Sequence, residues 1–214
     1  MITLHHVAQS RSFRTLWLLH EIGATFTLVP HRFDKSLRGP AFLALSPAGR
    51  VPALEIDGCT LFESGAIAEY LCETRAPHLS RPIGNPERAA YLEWLHFGET
   101  IGQHLANLTQ QHIVLREDHM RSPTVMRLEA ARLAVCMDAV AAKAGDGYLL
   151  PEGFSAADIQ CGFGVMLGQR FAPLSNAARA YLTRLEQRPG FAQAMAQDGA
   201  ASIYHQPFYP LPNV

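Results

Sequence analysis

The feature that most constrains this chain is a change of hydrophobic period near residue 64. Before it, short strand patterns alternate with helical ones; after residue 63 no strand pattern appears and every long segment reads as helix. "ITLHH" at 2–6 reads as a strand. "SRSFRTLWLLHEIG" repeats Phe13, Leu16, Trp17 and Leu19 at helical spacing and stops at Gly23. "TFTLVP" at 25–30 reads as a second strand. Strand, helix, strand predicts a βαβ unit with a right-handed crossover and parallel strands. A polar stretch with a short helical turn near "PAFLAL" leads to "VPALEI", the turn Asp57-Gly58 and "CTLF". Asp-Gly between apolar runs is a hairpin signal. A helix at roughly 65–74 closes this part.

The order β-α-β-x-β-β-α predicts an α/β domain of thioredoxin-like fold over residues 1–76, followed by an all-helical domain. "RAPHLSRPIGNPE" carries three prolines, so the linker is placed at 77–86 and the helical domain at 87–214. Within that domain Ser155 and Asp158 in "FSAADI" have the spacing of a capping box, a folding role.

Composition removes several classes. Net charge is −1, with 18 basic and 19 acidic residues, so nothing electrostatic favours nucleic acid or an acidic membrane. No apolar run approaches the ~20 residues of a membrane span, and no N-terminal export signal is seen. The four cysteines are scattered without CxxC, which reads as reduced thiols in a cytoplasmic protein and disfavours a disulfide reductase. The ten histidines match no zinc spacing, so no metal is expected.

Two local features point to a ligand. Val51-Pro52 opens a strand although proline cannot donate to a ladder. Either it is an edge-strand trans proline, or a cis bond turns Val51 outward to pair with an extended peptide as an added strand. Glu63-Ser64 begins the next helix. Ser64 is either a simple N-cap, or part of a site where helix amides and a hydroxyl hold a carboxylate while Glu63 takes an ammonium. Carboxylate and ammonium on one carbon form the head of an amino acid.

The series "SRSFR", "GRVPAL", "LFESGAIAEYL" and "FSAADI" resembles the cytosolic glutathione S-transferases across the whole chain. It is nearest to serine-type bacterial and fungal members that open with "HH...SRS...LWLL". The resemblance implies that glutathione, a co-substrate, lays its cysteinyl backbone on Val51 beside Pro52 and its γ-glutamyl end on Glu63 and Ser64. It implies Ser10 as the hydroxyl that stabilises the thiolate, with N-capping as the plainer reading, and Ser12 as alternate donor. Arg11 either adds positive charge there or is solvated. His5 and His6 stand where tyrosine-type members carry tyrosine, so that mechanism is not expected. For the glycine carboxylate the candidates are Arg32, Lys35, Arg38 and Arg50, with Arg50 favoured and Lys35 second. The family pattern places a small hydrophobic electrophile between domains against Trp94, Phe97, Ile101 and His104, whose alternative reading is bundle core. The aromatic tail "YHQPFYPLPNV" either covers that site or packs on the bundle. The implied function is conjugation of glutathione in detoxification, with peroxide reduction possible on the same site, by a cytoplasmic homodimer. From another class, a non-catalytic glutathione- or hydrophobe-binding protein uses the same fold.

Overall fold

The computed structural model describes residues 1–212. Two compact units emerge. The first joins Met1–Asn85 with Glu186–His205; the second joins Pro86–Leu185 with the chain from Gln206 onward.

The first unit is built on a four-stranded sheet of order β2-β1-β3-β4, with β1 at Thr3–His6, β2 at Thr27–Pro30, β3 at Ala53–Ile56 and β4 at Cys59–Phe62. Strand β1 runs parallel to β2, and the connection is helix α1, Ser12–Glu21. Strand β3 runs antiparallel to β1 and to β4. The β3–β4 turn is Asp57-Gly58, and both residues have positive φ (53° and 78°), as a type I′ turn demands. The short α2, Pro40–Leu43, follows a 3-10 turn at Lys35–Arg38, and α3 spans Ser64–Arg75.

The expected boundary is revised. Residues 77–81, placed in the linker, stay with the first unit, where Leu79 and Arg81 are buried. Helix α8, Pro189–Gln197, assigned to the helical domain, also belongs to the first unit. The reason is aromatic packing on α1. Phe191 meets Trp17 edge-on at 5.0 Å and Phe13 at 5.8 Å. Trp17 Nε1 donates to Glu21, whose carboxylate also receives Arg188 Nη2 at 2.8 Å. Burying a phenylalanine of this kind contributes roughly 1.5–3 kcal/mol. Gly190 lets the backbone come close, since a Cβ there would lie 2.7 Å from Glu21 Cδ.

The second unit comprises α4 (Arg88–Thr109), α5 (Pro123–Ala144), α6 (Ala156–Gly168) and α7 (Asn176–Glu186). Ser122 caps α5 by accepting from Val125 N–H. The capping box of α6 is present in both directions. Asp158 has no exposed surface and also accepts from Leu149 N–H and Tyr181 Oη–H. Its burial pushes the carboxyl up, and these hydrogen bonds offset part of that rise. The tail packs on this unit: Tyr209 stacks on Phe171 and its N–H donates to Arg170 O at 2.7 Å. Its last two residues, Asn213 and Val214, lie outside the described residues.

Candidate functional site

Sheet register brings the candidate segments to one end of the first unit. His5 pairs with Ala53 antiparallel, so the chain leaving β1 toward Ser10 lies beside the chain entering β3 through Val51. Ala53 pairs in turn with Phe62, so β4 delivers Glu63 and Ser64 to the same end. Three stretches far apart in sequence meet because one strand ends where its antiparallel neighbour begins.

Each stretch has unusual backbone. The Val51-Pro52 peptide is cis, with Pro52 buried and Val51 half-buried. Glu63 has φ 71° and ψ 116°, outside the regions open to ordinary residues. Such a conformation costs on the order of 1–3 kcal/mol and persists where surrounding structure dictates it, often at a ligand clamp. Gln9, just before Ser10, also has positive φ, 63°.

Ser64 begins α3 but does not cap it. Its hydroxyl accepts instead from Nη1 of Arg14 at 3.0 Å. Arg14 lies in the first turn of α1 and has no exposed surface. The sequence reading missed it, although a charge beside Phe13 on a helix face otherwise leucine and tryptophan was the available signal. A buried guanidinium is retained only where it is paired or hydrogen-bonded, so this one ties the start of α1 to the start of α3 and brings positive charge to Ser64.

Ser10 sits in the turn before α1, half-buried, its Oγ 2.8 Å from Ser12 Oγ. Ser12 as a direct thiolate donor is corrected. It has no exposed surface, and its hydroxyl lies in a buried network with Val7 N–H, Ser10 Oγ and His6 Nδ1. Arg11 is the half-buried N-cap residue of α1. The loop is clamped by Gln9: its N–H donates to Asp198 Oδ2, its Nε2 to Tyr204 O, and its Oε1 accepts from Ile203 and Tyr204 N–H. Neither Gln9 nor Asp198 was singled out from sequence, because partners 189 residues apart leave no local signature.

His5 and His6 point to opposite faces of β1, as strand alternation requires. His5 lies between His31 Nε2 and Glu55 Oε1, each at 2.9 Å, with Phe42 edge-on to its ring. Burial, then the nearby His5 and His6, hold the His31 pKa below its ordinary value. Arg32, Lys35, Arg38 and Arg50 are all exposed. Arg50 immediately precedes Val51, and its N–H reaches Ser46 Oγ at 3.4 Å.

In the second unit, Trp94 and Phe97 are half-buried and meet edge-on at 5.1 Å. Ile101 as a substrate contact is corrected. It is fully buried, and a Cβ at Gly164 on α6 would lie 2.6 Å from its Cγ2. It fills the α4–α6 contact. His104 is committed to Glu129 at 2.8 Å. Among the described residues no group of three or more histidine, cysteine, aspartate or glutamate side chains is arranged to hold a metal ion.

An end of a thioredoxin-like sheet that joins a cis proline, a strained acidic residue and a serine-bearing helix start can hold the backbone and head group of a short peptide. The family described as "Glutathione S-transferase, N-terminal domain" matches residues 1–73. The chain is 30% identical over 156 residues to glutathione S-transferase F13 of Arabidopsis thaliana, covering 68% of this chain and 70% of that protein. It is 37% identical over 103 residues to glutathione S-transferase 3 of Schizosaccharomyces pombe, covering 46% of this chain but only 41% of that protein's length. Among solved structures, the theta class glutathione S-transferase of Xanthomonas axonopodis pv. citri, with glutathione bound, superposes with a TM-score of 0.76 at 26% identity. That match covers 90% of this chain and 96% of that one. The chain belongs to the glutathione S-transferase family.

Proposed function

We propose that the protein binds glutathione at this sheet end and transfers its thiolate to a small hydrophobic electrophile. The supporting observation is the junction of α1 and α3. Arg14 holds the Ser64 hydroxyl while Glu63 is forced into a left-handed backbone. Ser64 and the α3 amides then meet the γ-glutamyl carboxylate and Glu63 the ammonium. Val51 pairs with the cysteinyl backbone, and Arg50 or Lys35 takes the glycine carboxylate.

Ser10 donates its hydroxyl to the sulfur. A thiol near pH 8.5 is mostly protonated at neutrality, so a donor and a helix N-terminus at the sulfur raise the reactive fraction. Arg11 adds charge at the same turn. Carbon–sulfur bond formation then expels the leaving group of the electrophile or opens its activated double bond. The half-buried pair Trp94 and Phe97 is assigned to the apolar co-substrate. Detoxification, glutathione-dependent peroxide reduction, homodimer assembly and a cytoplasmic location belong to the same reading. No helix among the described residues is long and apolar enough to cross a membrane.

Calorimetric titration with glutathione beside Ser64→Ala tests the peptide site, with weakening of about tenfold expected on loss of one charge-assisted contact. Turnover of an activated aryl halide tests the chemistry. Ser10→Ala is expected to lower kcat by about a hundredfold with little change in binding. Wild-type protein that binds no glutathione at millimolar concentration would sink the proposal.

A further inference from the structure

Behind Ser10 the hydrogen bonds continue inward. Ser10 Oγ lies 2.8 Å from Ser12 Oγ. Ser12 Oγ lies 2.8 Å from His6 Nδ1. His6 Nε2 lies 3.1 Å from the main-chain oxygen of Asp198 and 3.3 Å from its Oδ1. Ser12 and His6 are 0% and 2% exposed.

The polarity of this chain follows from its ends. The Asp198 carbonyl only accepts, so His6 Nε2 carries hydrogen and, in a neutral ring, Nδ1 accepts. The Ser12 hydroxyl has two acceptors in reach, Val7 O at 3.3 Å and His6 Nδ1 at 2.8 Å, and the shorter contact is the one to Nδ1. The Ser12 oxygen already accepts the Val7 N–H at 3.1 Å and keeps one lone pair for the Ser10 hydroxyl. The Asp198 carboxylate is only half committed. Oδ2 takes the Gln9 N–H, while the buried Oδ1 has no hydrogen-bond partner among the described residues. A neutral imidazole does not need that second oxygen; an imidazolium beside it does.

We infer that His6 accepts the proton of the glutathione thiol, relayed through Ser10 and Ser12, with Asp198 stabilising the imidazolium. The inference rests on the reading that Ser10 faces the sulfur. The S–H proton passes to Ser10 Oγ as the Ser10 proton passes to Ser12 Oγ and the Ser12 proton to His6 Nδ1. Afterwards each donor has reversed: His6 Nδ1–H donates to Ser12, Ser12 to Ser10, and Ser10 to the thiolate. No atom is gained or lost, and the products are a thiolate and an imidazolium held by a carboxylate. The relay gives the thiol proton a destination that serine, too weak a base, does not offer.

In water, transfer from a cysteine thiol to a free imidazole is unfavourable by about a hundredfold. The Ser10 hydrogen bond, the α1 N-terminus and Asp198 all favour the transferred state. His6 also lines a cavity of about 410 Å³ with His31, Arg32, Asp34 and Asp198. The groups around it oppose one another. His5 on β1, and His31 and Arg32 after β2, disfavour the imidazolium when charged, while Asp34 and Asp198 favour it.

The test follows the ultraviolet absorbance of bound glutathione thiolate against pH, with S-methylglutathione affinity as a binding control. Ser12→Ala and His6→Ala are expected to move the thiolate midpoint up by about one to two pH units, a ten- to hundredfold loss of thiolate at neutrality. S-methylglutathione should bind within about twofold of wild type. Free imidazole, entering the cavity, should restore thiolate to His6→Ala; absence of rescue overturns the role of His6. Should Ser12→Ala fail to fold by circular dichroism, Asp198→Asn carries the test, with an upward shift of about one unit expected. A wild-type midpoint in Asp198→Asn, or in a folded Ser12→Ala, refutes the relay. If Ser10→Ala alone then shifts the midpoint, the glutathione reading stands without it. Failure of wild-type protein to bind S-methylglutathione refutes the glutathione reading and the relay together.

Discussion

Arg14, with no exposed surface, donates from Nη1 to the Ser64 hydroxyl at 3.0 Å, across fifty residues of sequence. The contact joins the helix that presents Ser10 to the helix that presents a head-group site. Replacing the guanidinium by an apolar side chain of similar length separates its binding role from its packing role. Arg14→Met removes one partner of a buried contact and leaves Ser64 behind, so a stability loss of about 1–3 kcal/mol is expected beside the binding effect. Glutathione affinity should fall about tenfold, roughly 1.4 kcal/mol. Calorimetry beside a thermal melt reads both, and unchanged affinity would count against the coupling.

Glu63 occupies φ 71°, where a side chain is strained. Glu63→Gly removes that strain at some cost in chain entropy, so stability should hold or rise by up to about 1 kcal/mol. The ammonium partner is lost at the same time. A urea melt should show the unchanged or higher midpoint, and a glutathione titration should show weaker binding. A variant that bound glutathione as well as wild type would remove Glu63 from the site.

Gly164 and Ile101 share one space in the helical unit. A methyl group added there overpacks the α4–α6 contact, so Gly164→Ala should destabilise by about 1–3 kcal/mol. Combined with Ile101→Ala, which vacates the space, part of that loss should return, and the double-mutant cycle measured by denaturant unfolding gives the coupling. Additive losses would mean that Ile101 is not the residue met.

His31 is held below its ordinary pKa, first by burial and then by the neighbouring His5 and His6. The unfolded chain therefore binds the proton more readily than the folded one. Stability from this group is present above about pH 6.5 and is lost as pH falls from there through the lowered folded value. Melting temperature should drop over that window in wild type and drop less in His31→Gln. Parallel pH profiles for the two proteins would exclude the effect.

By itself the sequence determined what depends on neighbours a few residues away. Period and turn chemistry predicted the βαβ start, the Asp57-Gly58 hairpin and the helices beyond residue 63. The spacing of Ser155 and Asp158 predicted the α6 cap, residue type at helix and strand starts marked Val51, Glu63 and Ser64, and the family resemblance singled out Ser10. The tertiary structure decided everything that depends on a distant partner. A helical period shows that a face of α8 is buried, but only Trp17 and Phe13 show against what. The same period left Ile101 open between core and surface until Gly164 closed over it. Arg14 with Ser64, Gln9 with Asp198, and Ser12 with His6 are contacts between a polar group and a place. Burial makes such a group find its partner wherever the fold brings one, at any separation along the chain.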